Sequence, residues 1–250
     1  MSQSNNMERT ALIMGATGAV GKQVLKEILK SNDYQKVISI GRRNVELEQE
    51  VPQERLVQKI VDFDNIEASR DDLKNINDVY CCLGTTRADA GGAAPFKKID
   101  QSYVLNTAKL IAEENKPAGS ELSPVHLLYC SSMGASKSSP FLYPKTKGET
   151  EDKLANTGFE KVTIVRPAFL ETVEPRTRPR LMESVAFSIY APINNMLNLG
   201  GIIRVDTVAK AMHKAAMDAT FKPSQASNIS KSPIGTNVFL FPNADLYQKE

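Results

Sequence analysis

Groups that build metal centres and acyl-transfer triads are scarce in this chain of 250 residues, which holds two histidines and three cysteines. Cys81, Cys82 and Cys130 are odd in number, lie inside apolar runs and show no metal-ligand spacing. They read as reduced core residues of an intracellular protein, not as a disulfide framework or a metal site. The adjacent pair Cys81-Cys82 could respond to oxidants, but buried thiols are usually inert. His126 falls in a strand and His213 in an amphipathic helix, so both read as structural, and no Ser-His-Asp set is indicated. No apolar run reaches the roughly 18 residues that a membrane span needs. The short stretch before the first strand has no apolar segment, so a cleaved leader is not expected. A net charge of +2 gives no global reason to expect nucleic acid or an anionic membrane as partner.

What is present is an ordinary soluble composition, 41% hydrophobic and 24% charged, on a chain long enough to bury a sizeable core. Strand-like and helix-like runs alternate. Leu12-Ile13-Met14 reads as a first buried strand, followed by helical spacing from Gly21 to Lys30. Further strands are expected over Val37–Ile40, Leu56–Val61, Asp78–Leu83, Val125–Cys130 and Lys161–Val165. Helices are expected over Phe96–Glu114, Tyr143–Ala155 and Asp206–Ala219, the last capped by Asp206, with a short final strand over Val238–Phe241. This alternation specifies an α/β, Rossmann-like doubly wound parallel sheet with right-handed crossovers. We expect a single domain, with a nucleotide-binding core over roughly residues 9–170 and a small substrate or lid region after it.

Two motifs carry chemistry. Gly15-Ala16-Thr17-Gly18-Ala19-Val20-Gly21 follows a strand and opens a helix, the context that a dinucleotide turn requires. Gly15 allows the tight turn, Gly18 the approach of a pyrophosphate, and Gly21 close packing of helix on strand. The helix N-terminus then offers free N–H groups to the phosphates. A P-loop fails, because Ala16 stands where its first glycine belongs and Gln23 replaces its Ser/Thr. After the second strand, Gly41-Arg42-Arg43 supplies two guanidiniums where an NAD enzyme places an acid, which suits the 2′-phosphate of NADP; a solvated basic turn is the alternative. Asp62-Phe63 closes the third strand at a position suited to an adenine.

Tyr143 and Lys147 form the second motif, at i and i+4 on one helix face. A tyrosine hydroxyl ordinarily loses its proton near pH of about 10, and a neighbouring ammonium favours the phenolate. Ser131 and Ser132 end the fifth strand, and Ser132 is the candidate to hold a substrate carbonyl oxygen. Val185–Leu199 is apolar and suggests an apolar substrate or a docking surface, while Arg176, Arg178 and Arg180 make a basic loop; a core helix and a solvated loop are the plain alternatives.

With these residues in place, the sequence resembles the short-chain dehydrogenase/reductase superfamily, in its extended and atypical branches. The glycine pattern G-x-x-G-x-x-G carries part of the resemblance. More specific strings are Cys81-Cys82-Leu83-Gly84-Thr85-Thr86-Arg87 continuing to Gly92, Gly41-Arg42-Arg43, Val61-Asp62-Phe63, and Phe141-Leu142-Tyr143 through Lys147-Gly148-Glu149. The resemblance implies an NADP(H)-dependent oxidoreductase with Tyr143 as proton donor or acceptor and Lys147 as its partner. It implies cofactor contacts from Leu83, Gly84 and Thr85, and from Arg166, Pro167, Ala168 and Phe169, where backbone amides would face the nicotinamide carboxamide. It also implies a small-molecule carbonyl substrate, a monomer or dimer, and, from branch members that bind proteins or associate with the mitochondrial outer membrane, a protein partner or peripheral membrane contact. The sequence departs from the pattern at Asp100, which stands where the family carries a relay asparagine.

Overall fold

Strand β1 (Thr10–Met14) lies in the middle of an eight-stranded sheet, between β2 (Lys36–Gly41) and β4 (Asp78–Cys81). The computed structural model describes residues 9–172 and 201–247. The remaining described strands are β3 (Leu56–Ile60), β5 (Ser123–Cys130), β6 (Phe159–Arg166), β7 (Phe169–Glu171), β8 (Ile202–Arg204), β9 (Ile229–Lys231) and β10 (Asn237–Pro242). The sheet order is β3-β2-β1-β4-β5-β6-β10-β9, parallel except for the antiparallel edge strand β9, and β7 pairs with β8 in a separate ribbon. The strand order reverses between β1 and β4, so a crevice opens at their carboxyl ends, where such sheets bind ligands.

Parallel central strands are covered on both faces and are therefore apolar along their length. Ala11, Leu12, Ile13 and Met14 of β1 are all buried. One face packs against helices α1 (Ala19–Lys30) and α6 (Val205–Met217) through Val24, Leu25, Ile28, Val208 and Met212. The other packs against α4 (Val104–Glu114) and a 3₁₀ stretch (Phe63–Leu73) through Val104, Leu110, Ile111 and Phe63. Each such buried aliphatic side chain contributes about 1.5–3 kcal/mol of transfer free energy.

Several boundaries differ from the sequence expectation, each for a local reason. Helix α1 starts at Ala19, two residues early, with Gly18 as its N-cap. The helix expected over Phe96–Glu114 is composite: α2 (Arg87–Ala90) precedes α3 (Ala93–Lys97), a π-helical turn over Lys98–Tyr103 follows, and α4 completes it. Asp206 is not the cap of α6. Arg204 holds that position, and Asp206 sits in the first turn, paired with Arg204 at 2.7 Å. Val185–Leu199 and the basic loop at Arg176, Arg178 and Arg180 lie outside the described residues. No described helix is long and apolar enough to cross a membrane.

Candidate active site

The glycine turn fits a dinucleotide because its backbone leaves no room for side chains. Gly15 has φ +85, a left-handed conformation, and a Cβ there would stand 2.5 Å from the Cys82 carbonyl. Gly18 N–H donates to Gly15 O at 3.0 Å, which closes the turn. A Cβ on Gly21 would collide with the Gly15 carbonyl, so α1 rests directly on the turn. The first turn of α1 contains no acidic side chain, so its positive end stays uncompensated and open to an anion. Ala16 and Val20 are buried, while Thr17 is exposed and Ala19 half-buried at the turn.

Arg42 and Arg43 follow β2, both exposed, and no carboxylate among the described residues pairs with either. Asp62 accepts from Asp64 N–H at 2.9 Å and so caps the 3₁₀ stretch. The Phe63 ring is core: it is buried and stacked on Tyr103 at 5.4 Å. Asp62, which is exposed, is the member of that pair with a side chain free to meet an adenine.

Helix α5 (Leu142–Leu154) carries Tyr143 and Lys147. Tyr143 is 41% exposed, with its ring 5.7 Å from that of Phe96. Lys147 is 4% exposed. Its Nζ lies 3.0 Å from Asp100 Oδ1, donates to Tyr129 Oη at 3.2 Å and stands 6.0 Å from the Tyr143 ring centre. Burial works against its charge, but Tyr129 and Asp100 outweigh it and hold Lys147 well above the ordinary lysine range. Asp100 is fully buried in the π turn, and its Oδ2 accepts from Thr85 N–H at 2.7 Å. A Cβ on Gly84 would come within 3.3 Å of both Asp100 Oδ1 and Lys147 Nζ, so the Leu83-Gly84-Thr85 backbone is laid against the pair. The π turn widens the helix at the residue that makes this contact, a common use of such turns.

Ser131 and Ser132 separate cleanly. Ser131 Oγ donates to Glu151 Oε1 at 2.5 Å, and Glu151 also binds Arg166 through two of its nitrogens. Ser131 and Arg166 are thereby committed to a buried brace joining β5, α5 and β6. Ser132 Oγ is buried with no hydrogen-bond partner among the described residues. Its loop is pinned to the first turn of α5 by Ser136 N–H donating to Pro144 O at 2.9 Å. Gly148 makes this possible, since a Cβ there would run into the loop backbone at Ser136 and Lys137.

The segment Arg166-Pro167-Ala168-Phe169 is placed differently from the expectation. Pro167 has no N–H, Ala168 N–H donates to Asn243 Oδ1 at 2.8 Å, and Phe169 N–H donates to Gly201 O at 3.0 Å. The Ala168 and Phe169 amides are thus already bonded, while the Phe169 ring is exposed. Glu151, Asn243 and Tyr129 were not visible as site residues in the sequence, because each acts through a partner on another element. Among the described residues, no group of three or more His, Cys, Asp or Glu side chains is placed to hold a metal.

A family model described as NAD(P)H-binding matches residues 15–218. The chain is 36% identical to Protein HTATIP2 of Rattus norvegicus over 204 residues, covering 82% of this chain and 79% of the relative. It is 36% identical to Protein FMP52, mitochondrial, of Debaryomyces hansenii over 164 residues, covering 64% of this chain and 66% of the relative. Among solved structures, a short chain dehydrogenase family protein from Francisella tularensis superposes with a TM-score of 0.63 at 15% identity, covering 94% of this chain and 96% of that one, a likeness of fold. The chain belongs to the NAD(P)H-binding family, whose cofactor is a nicotinamide dinucleotide, and it has the fold of a short chain dehydrogenase.

Proposed function

We propose that the protein is an NADP(H)-dependent oxidoreductase that interconverts a carbonyl and an alcohol on an apolar small molecule. The observation that carries this reading is Ser132, whose buried hydroxyl has no partner among the described residues and whose loop is tied to the turn of α5 that bears Tyr143. A buried hydroxyl left unpaired costs about 1–3 kcal/mol, which a substrate oxygen would recover. A bound nicotinamide would supply or accept the hydride. Ser132 Oγ–H would hold the carbonyl oxygen, and Tyr143 Oη would give it a proton or take one back. Lys147 Nζ, 6.0 Å from the Tyr143 ring centre, would set a positive charge near the reacting oxygen. Arg42 and Arg43 would bind the 2′-phosphate, the reason for preferring NADP over NAD. Met133, Phe141 and Phe169 are exposed apolar side chains on segments joined to this site, Met133 N–H donating to Pro167 O at 2.9 Å. They would receive the apolar part of the substrate.

A second reading rests on Asp100. Its carboxylate shares the charge of Lys147, which weakens the field available to Tyr143 and suits a protein that binds NADPH to regulate a partner with little turnover. One experiment separates the two. With NADPH and a panel of apolar aldehydes and ketones, Tyr143→Phe is expected to lose about 100- to 10,000-fold in kcat while binding NADPH normally. Full turnover in Tyr143→Phe would sink the proton-transfer role. Absence of turnover in the wild type, with NADPH bound, would leave the regulatory reading. The fungal relative, FMP52, is named as mitochondrial, which extends either reading to association with mitochondria; fractionation of a tagged chain checks this.

A further inference from the structure

Cys82 and Cys130 stand side by side. Strands β4 and β5 run parallel with Cys81 opposite Tyr129, so the next residues along, Cys82 and Cys130, continue the same register. Both remain held by the sheet at this point: Cys82 N–H donates to Met14 O at 2.9 Å, and Cys130 lies opposite Val165 of β6. Neighbouring strands are about 4.8 Å apart, inside the roughly 4.4–6.8 Å separation of Cα atoms that a disulfide spans. Side chains alternate across a sheet. Cys81 and Tyr129 therefore enter the core under α4, whereas Cys82 and Cys130 both pack toward α1. The two thiols are near enough to shift each other's ionisation, Cys82 upward and Cys130 downward. Both are partly exposed, whereas Cys81 is buried.

We propose that Cys82 and Cys130 are a reversible dithiol–disulfide site, oxidised by hydrogen peroxide. The adjacent cysteines Cys81 and Cys82, the pair that the sequence draws attention to, face opposite sides of β4 and cannot be partners without breaking the strand. Reactivity divides the same way. The neighbouring Cys82 thiol pushes the Cys130 thiol down, burial opposes this, and the Lys147 charge adds to it. Burial pushes Cys81 up to about 12 and leaves it a thiol.

The chemistry balances with peroxide as the named oxidant. The Cys130 thiolate attacks one peroxide oxygen, the O–O bond breaks, and the departing hydroxide takes a proton to leave as water. Cys130 is now a sulfenic acid. The Cys82 sulfur then attacks the Cys130 sulfur, the S–O bond breaks, and a second water leaves with the Cys82 proton. Two thiols have lost two electrons, and the peroxide has gained them. This site stands independently of the oxidoreductase reading, since it needs neither Tyr143 nor a nucleotide.

The test uses the full chain, reduced, freed of reductant and exposed to hydrogen peroxide. The expected result is a mass lower by two hydrogens, a fall in titratable thiols from three to one, and full reversal by dithiothreitol. Trypsin leaves Cys81 and Cys82 in one peptide, so Cys81→Ser assigns the bond: it should keep the cross-link to the Cys130 peptide, whereas Cys82→Ser and Cys130→Ser should lose it. Fragmentation of the wild-type cross-link between positions 81 and 82 gives the same assignment without any variant. Retention of three thiols, gain of oxygen on a single cysteine without a cross-link, or a bond through Cys81 would overturn the proposal.

Discussion

Lys147→Met is expected to destabilise the protein by about 3–5 kcal/mol, because it strands the Asp100 carboxylate in the core. Asp100 is fully buried, and its other polar contact is a single N–H from Thr85. Typical stabilities are about 5–15 kcal/mol, so the loss is a large share of the whole and visible in urea unfolding. The logic makes a second demand. Adding Asp100→Asn to Lys147→Met should recover most of the loss, since the amide oxygen still accepts from Thr85 and no charge is left unpaired. If the double variant is as unstable as the sum of the two single variants, the ion pair is not what Lys147 contributes. Stability is the right readout here because it is independent of substrate and of turnover.

Gly21→Ala has the next largest expected effect, and its sign is the informative part. In an ordinary helix this change stabilises by about 1 kcal/mol, because alanine has the better helix propensity. At Gly21 the new Cβ would collide with the Gly15 carbonyl, a backbone atom inside the turn that cannot swing away. Gly15 is itself fixed against Cys82 and Leu83 of the neighbouring strand end. Overpacking of this kind costs about 1–3 kcal/mol and reshapes the backbone that faces the phosphates. Gly21→Ala should therefore melt earlier than the wild type and bind nucleotide at least about tenfold more weakly, a loss of about 1.4 kcal/mol. A variant that gains stability and binds normally would show that α1 does not rest on the turn as described.

The central strands and their glycine turn were legible in the sequence because parallel strands buried on both faces become short, mainly apolar runs, as at Ala11–Met14 and, around a single buried Ser39, Val37–Ile40. The tyrosine–lysine pair was legible because its spacing is a helix repeat. What stayed hidden depends on contacts between distant residues. Asp100 was noticed only as an odd residue in an asparagine position; that it faces Lys147 follows from the packing of the π turn on α5, which no local pattern encodes. Ser131 and Ser132 look alike in sequence, and the buried Glu151 alone decides which is committed and which is free. Phe63 drew attention beside the expected adenine position, yet an aromatic ring next to Tyr103 and Val61 gains more from the core. The short strands β7, β8 and β9, three residues each, are too brief to carry a periodicity.

We propose that the carboxyl end of this sheet binds NADP(H) through the glycine turn and the two arginines after β2. Calorimetric titration of the wild type and of Arg42→Ala/Arg43→Ala with NADPH and with NADH tests it most directly. Each lost charge-assisted hydrogen bond is worth about 1.5–3 kcal/mol. The account predicts that the wild type prefers NADPH, and that the double variant loses about 100-fold or more in NADPH affinity while its affinity for NADH is nearly unchanged. Equal binding of the two nucleotides by the wild type, or an unaltered NADPH affinity in the variant, would contradict it.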